Sequence, residues 1–164
     1  DGICGGKDNK KNTLRIMKDS PIGAMGALAV CLDLLLRYAF LNSIPEAKVP
    51  LSLISMAVIG KWSQVAFVFN SSSATDTSTA GVFSKNLNPA VFSIATGLTV
   101  LISLFLIKPV HLFFIFCVLV CVIVWFKNYL RHKIGGITGD TIGALNEAVE
   151  IMVLAFFALG TINY

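Results

Sequence analysis

Asp140, Glu147 and Glu150 stand in or beside a strongly apolar run late in the chain. At about 100° per residue, Asp140 and Glu147 are seven positions apart and fall nearly in line on a helix, with Glu150 further round. Carboxylates in a row repel one another, so this stripe calls for a cationic partner: Mg²⁺, lysine or arginine. Immediately upstream, residues 135–143 read Gly-Gly-Ile-Thr-Gly-Asp-Thr-Ile-Gly and follow the basic residues Lys127, Arg131, His132 and Lys133. Glycines with Thr138 and Thr141 at a helix start offer N–H groups and hydroxyls to a phosphate, or to a phosphate carrying a divalent ion. The same residues also suit a plain glycine loop in which Thr138 or Asp140 is the N-cap.

The beginning of the chain again mixes acid, glycine and base. Asp1-Gly-Ile-Cys-Gly-Gly-Lys-Asp is followed by Lys18, Asp19 and Ser20, just before the first apolar run. Lys18 is read as a phosphate contact or a topology anchor, and Asp19 or Ser20 as a functional group or an N-cap. Within the apolar runs stand Asp33, Arg37 and Lys61. Charge at the centre of a bilayer costs about 2.5–3.5 kcal/mol per residue on insertion scales, so each needs a reason. Asp33 and Arg37 have the favourable i, i+4 order for a helical ion pair. Lys61 pairs with Asp33 across helices, snorkels, or binds an anion.

The elements that must position these groups are membrane helices. Hydrophobic residues make up 55% of the 164 and charged residues 13%, about half the usual charged share of a soluble domain. Mean hydropathy is +0.79. Five apolar stretches, 22–41, 49–69, 90–107, 109–126 and 142–160, are 18 to 21 residues long, which suits a hydrocarbon core of about 30 Å. Backbone polar groups must pair internally in lipid, so the expected fold is all-α, a polytopic transmembrane helical bundle in one domain. Lys108 alone separates the third and fourth stretches, and Pro109 fits the first turn of a new helix, predicting a tight hairpin. Residues 70–89, rich in Ser and Thr, read as a solvated connector. The net charge of +4 does not point to nucleic acid, because the basic residues sit at the edges of the apolar runs. Lys7, Lys10, Lys11, Arg15, Lys18, Lys85, Lys127, Arg131 and Lys133 fall on one side, and only Lys48 and Lys108 on the other. That bias places the first side, with Asp1, the Ser/Thr loop and the 135–143 segment, in the cytoplasm. Cys4, Cys31, Cys117 and Cys121 have no CxxC spacing and read as small hydrophobes. His111 and His132 read as interfacial rather than as metal ligands.

Three blocks, in this order, resemble the cobalamin synthase family, adenosylcobinamide-GDP ribazoletransferase. They are Asp1-Gly2 with LRIMKDSPIGAMGAL (14–28), IGKW (59–62), and GGITGDTIGALNEAVE (135–150). Family members begin with further helices and an acidic motif, HxDGxxDxxDG, whose final Asp-Gly is similar to Asp1-Gly2; the chain is therefore read as lacking an N-terminal part. The stretch after the second span is here a Ser/Thr run ending in AGVF (80–83), and Lys61 stands where arginine is common. The resemblance implies a Mg²⁺-dependent phosphotransferase of a prokaryotic plasma (inner) membrane, with its active face in the cytoplasm. Its partners are adenosylcobinamide-GDP, α-ribazole or its 5′-phosphate, and the lipid bilayer; the products are adenosylcobalamin or its phosphate, and GMP. It implies Asp1 and Asp140 as metal ligands. Lys18 and Lys61, with Thr138 and Thr141, become phosphate contacts, and Asp19 or Glu147 the base or an outer support. Association into homo-oligomers is compatible with the sequence and not required by it. Two other classes stay open: a CDP-alcohol type membrane phosphotransferase, and an ion-coupled transporter using Asp33, Lys61 and Glu147.

Overall fold

The computed structural model describes residues 1–6, 9–19, 21–74, 80–81, 83 and 87–160. Lys7, Ser20, Lys85 and most of the Ser/Thr run lie outside them. Two short helices, α1 (Gly2–Gly5) and α2 (Lys10–Lys18), precede the first long one. They are followed by α3 (Ala24–Ser43), a 3₁₀ turn at Glu46–Lys48, α4 (Val49–Val68), α5 (Pro89–Leu106), α6 (Pro109–Ile134) and α7 (Gly139–Ala158). All five long helices are long and apolar enough to cross a membrane, as the apolar runs predict. No strand forms among the described residues, and the protein is an all-α membrane bundle.

Proline and asparagine set the helix starts. Pro50, Pro89 and Pro109 each occupy the first turn, where the missing N–H costs nothing. Asn88 adds a cap, its Oδ1 accepting from Val91 N–H at 2.8 Å. The α5–α6 hairpin turns at Ile107 and Lys108. The fourth helix runs to Ile134, eight residues past the end of its apolar stretch at 126, and the fifth starts at Gly139 rather than 142. Hydropathy marks where lipid ends, whereas a helix continues until its backbone is stopped. Here the stop is Gly135 at φ 83, whose N–H returns to the carbonyls of Leu130 and Arg131. That left-handed cap favours glycine.

α4 and α7 form the central pair, with α5 against α4 and α3 against α7. Lipid offers no hydrophobic drive for helices to associate, so close approach depends on small and polar residues. The buried faces comply: Ser52, Ser55 and Ser63 on α4, Thr99 and Ser103 on α5, and Asn146 on α7. Trp62 donates its ring N–H to Thr96 Oγ1 at 3.0 Å and meets Phe116 edge-on at 4.6 Å. α3 has no buried residue, and Ile22, Leu34, Leu35 and Tyr38 on or beside it are more than half exposed. The outward faces of α5 and α6 are equally apolar, with Phe105 and Val110 about four-fifths exposed. Such surfaces face lipid.

At Gly60 the α4 backbone comes against α7. A Cβ there would lie 2.9 Å from Glu150 Cγ and 3.1 Å from Asn146 Oδ1. Gly60→Val is expected to lower stability by about 1–3 kcal/mol through overpacking, read as a fall in melting temperature in detergent. A melting temperature equal to wild type would show that the two helices are not held this close.

The chain begins and ends its crossings so that one end of the bundle gathers the start of α3, the end of α4, the start of α5, the end of α6 and the start of α7. A short parallel bridge ties that end together. Ala74 N–H donates to Ile137 O at 3.0 Å and Ile137 N–H to Ser72 O at 2.9 Å. The first residues of the 70–89 connector are therefore pinned to the α6–α7 turn, not free in solvent as their composition predicts. Gly136 permits this, because a Cβ there would strike the backbone of residues 72–74.

Candidate functional site

Thr138 opens α7 with a reciprocal capping box. Thr141 N–H donates to Thr138 Oγ1 at 3.3 Å, and Thr138 N–H donates to Thr141 Oγ1 at 2.9 Å. Both threonines are buried. Their hydroxyls serve the helix start, which is the structural alternative read from the sequence. The cap aims the first turn of α7, including Asp140, outward.

Asp1 reaches the other side of the same space. Its Oδ2 accepts from Gly23 N–H at 2.8 Å and its Oδ1 from Gly26 N–H at 2.9 Å. Gly23, the N-cap of α3, has no side chain to cap with, so Asp1 supplies the cap from 22 positions away. The two glycines are needed, since a Cβ at either would collide with the carboxylate. Asp19 follows α2 as its C-cap, with an extended backbone at ψ 132; it is not the N-cap of α3, and Ser20 lies outside the described residues.

These elements enclose an open cleft of about 370 Å³ lined by Asp1, Asp19, Asp140 and Thr141, with Met17 and Ala144 among its apolar walls. Residues from the start, the α2–α3 junction and the last helix thus share one surface at one end of the bundle. Among the described residues, no lysine or arginine lines it. Its charged donors are all carboxylate oxygens, the type a hard cation takes. Asp1 keeps lone pairs on both oxygens beyond its two backbone bonds. Among the described residues no three His, Cys, Asp or Glu side chains already converge as a ligand set. Mg²⁺ typically takes only one or two protein carboxylates and completes its shell with water and phosphate oxygens, so the donor set fits it.

The remaining sequence candidates lie elsewhere. Lys18 ends α2, exposed and beside Asp19, without lining the cleft. Lys61 lies within α4, its Nζ donating to Asn146 Oδ1 at 3.4 Å; it does not pair with Asp33. Glu147 is two turns along α7 from Asp140 and outside the cleft. It belongs to an ion cluster around Arg37. The guanidinium meets Asp33 through Nε at 2.9 Å, Glu147 through Nη2 at 2.5 Å and Glu150 through Nη1 at 2.9 Å. Asn146 Nδ2 donates to Glu150 Oε1 at 2.7 Å. The sequence reading of Asp33 and Arg37 as a pair within α3 sees one third of this cluster. Its signal was unbalanced charge on two spans, acid excess on α7 and an arginine on α3; the role of Asn146 has no signal in sequence.

Comparison with known proteins bears on the chain as a whole. The family model described as cobalamin-5-phosphate synthase matches residues 1–158. Among curated relatives, adenosylcobinamide-GDP ribazoletransferase of Clostridium tetani is 32% identical over 99% of this chain and 65% of its own length. The same-named proteins of Syntrophobacter fumaroxidans and a Sinorhizobium species are 36% and 37% identical, over 94% and 97% of this chain and 62% and 63% of theirs. The chain therefore spans less than two thirds of the length of these relatives. No solved structure matches it. With its matched residues running from Asp1, through the cleft, to the end of the last helix, the chain belongs to the cobalamin-5-phosphate synthase family.

Proposed function

We propose that the full-length protein transfers the adenosylcobinamide-phosphate group of adenosylcobinamide-GDP to α-ribazole or its 5′-phosphate, at the cytoplasmic face of a prokaryotic plasma membrane. The observation that carries this reading is the shared cleft of Asp1, Asp19 and Asp140. A ribose hydroxyl oxygen forms the new bond to phosphorus, the bond from that phosphorus to the GMP oxygen breaks, and GMP leaves with the electron pair. The carboxylate of Asp19, in the same cleft, would accept the hydroxyl proton. Asp1 and Asp140 would hold Mg²⁺, which when bound neutralises charge on the diphosphate. Asp1 is held rigid for this by α3's backbone N–H groups, and Asp140 by the Thr138 cap. Lys18, next in chain to Asp19, is exposed outside the cleft lining and would meet a leaving phosphate only from beyond the cleft. Lys10, Lys11, Arg15, Lys18, Lys127, Arg131 and Lys133 share this end of the bundle and support the cytoplasmic orientation.

The test is product analysis with the full-length protein in nanodiscs. Adenosylcobinamide-GDP and α-ribazole 5′-phosphate are expected to yield GMP and a cobalamin phosphate, with loss on Mg²⁺ chelation. CMP release from a CDP-alcohol, with no GMP, would replace this reading by the other phosphotransferase class. The transporter reading is not favoured, because Asp33 and Glu147 are already tied up in ion pairs with Arg37.

A further inference from the structure

The α6–α7 turn has a second cleft on its other side, of opposite charge. Two adjoining hollows, about 130 and 680 Å³, share Asn70, Ser71, Ser72 and Arg131, and Lys127 and Asn128 line the smaller. Among the described residues, no Asp or Glu lines either. Gly136 and Ile137 form part of this wall, while Asp140 and Thr141, about one helical turn on, line the acidic cleft. The wall is built: the bridge between Ser73 and Ile137 pins the loop beside α6.

Lys127 and Arg131 are four apart on α6 and present one face. A lysine serving only as a topology anchor extends toward the headgroups. Lys127 instead turns inward, half-buried, and its Nζ donates to the Phe69 carbonyl at 2.8 Å. That partner is neutral, so the charge is uncompensated. Arg131 makes no ion pair or hydrogen bond among the described residues. Its fork therefore stays available for an oxyanion. The side chains of Asn70 and Asn128 add neutral donors with no partner among the described residues.

We infer that this cleft binds a phosphate group, with Arg131 as the bidentate contact and Lys127 as the charge behind it. The phosphate belongs either to a soluble phosphate ester or to a phospholipid headgroup. The inference is independent of the reaction proposed above, because its test reads binding and not turnover.

The full-length protein is placed in nanodiscs of phosphatidylcholine alone and titrated with inorganic phosphate by calorimetry. Arg131→Gln is expected to weaken binding about tenfold or more, and Lys108→Gln, at the opposite end, to leave it unchanged. A second arm adds phosphatidylglycerol and counts anionic lipids retained in native mass spectrometry. Retention by wild type that is lost in Arg131→Gln, without phosphate binding in the first arm, assigns the site to headgroups. Phosphate binding without selective lipid retention assigns it to soluble esters. Binding in neither arm, or equal loss in Lys108→Gln, overturns the inference. Arg131 is exposed, so its variant is expected to melt like wild type; Lys127→Met serves as a second reading where it folds.

Discussion

Asp140→Asn in the full-length protein is expected to cut GMP release about 10²–10³-fold while membrane insertion and melting temperature stay near wild type. Two effects compete in this substitution, and their sizes separate them. An acid in the first turn of a helix stabilises it through the macrodipole by about 0.3–1 kcal/mol at an exposed site. Asp140 is exposed, and the helix start is held instead by the buried box of Thr138 and Thr141. The structural loss is therefore small. A lost ligand to a metal that stabilises transition-state charge costs several kcal/mol, or two to three orders of magnitude in rate. The amide of asparagine keeps the shape and removes the charge. GMP release within a few-fold of wild type would end the case for Asp140 as a ligand, and with it the reading of the acidic cleft as the metal site.

Arg37→Met should show the reverse pattern, a stability loss wherever activity is measured. The guanidinium is surrounded by Asp33, Glu147 and Glu150, all within 2.9 Å. One Oδ of Asp33 is already buried with no hydrogen-bond partner. Removing the cation leaves three carboxylates facing one another between two membrane helices. Breaking a fully buried ion pair by deleting one partner costs about 3–5 kcal/mol. With Glu147 half exposed and the others part-buried, the expected loss is at the lower end of that range, a fall in melting temperature on the order of 10 °C for a chain of this size. α3 buries no side chain of its own, so its hold on α7 depends heavily on this cluster. Arg37→Lys is expected to fall between, because a single ammonium cannot reach three acids as Nε, Nη1 and Nη2 do. Adding Glu147→Gln and Glu150→Gln to Arg37→Met should recover much of the loss, since the penalty is unpaired charge. An Arg37→Met protein that melts like wild type, or no recovery in the triple variant, would remove the cluster from the account of how α3 is held.

Membrane residence, the number of long helices and most helix starts were readable from the chain alone. Bilayer thickness dictates apolar run length, and proline and asparagine act on their own local backbone. Helix ends were less readable: α6 continues through Lys127, Arg131 and Lys133 because only Gly135 stops it, and hydropathy is blind to that. The acids at Asp1, Asp19 and Asp140 could be picked out as candidates, but their convergence on one cleft depends on α1, α2 and α7 meeting at one end. The ion cluster divides the same way. Lone charges in apolar runs announce that partners exist, while the choice of partner depends on which helix faces lie together. Arg37 lies on α3 against α7, so it takes Glu147 and Glu150, and Lys61 on α4 is left to Asn146. Local rules act over a few residues and are written in order along the chain; pairings between distant segments depend on how the helices cross, and that is decided only when they pack.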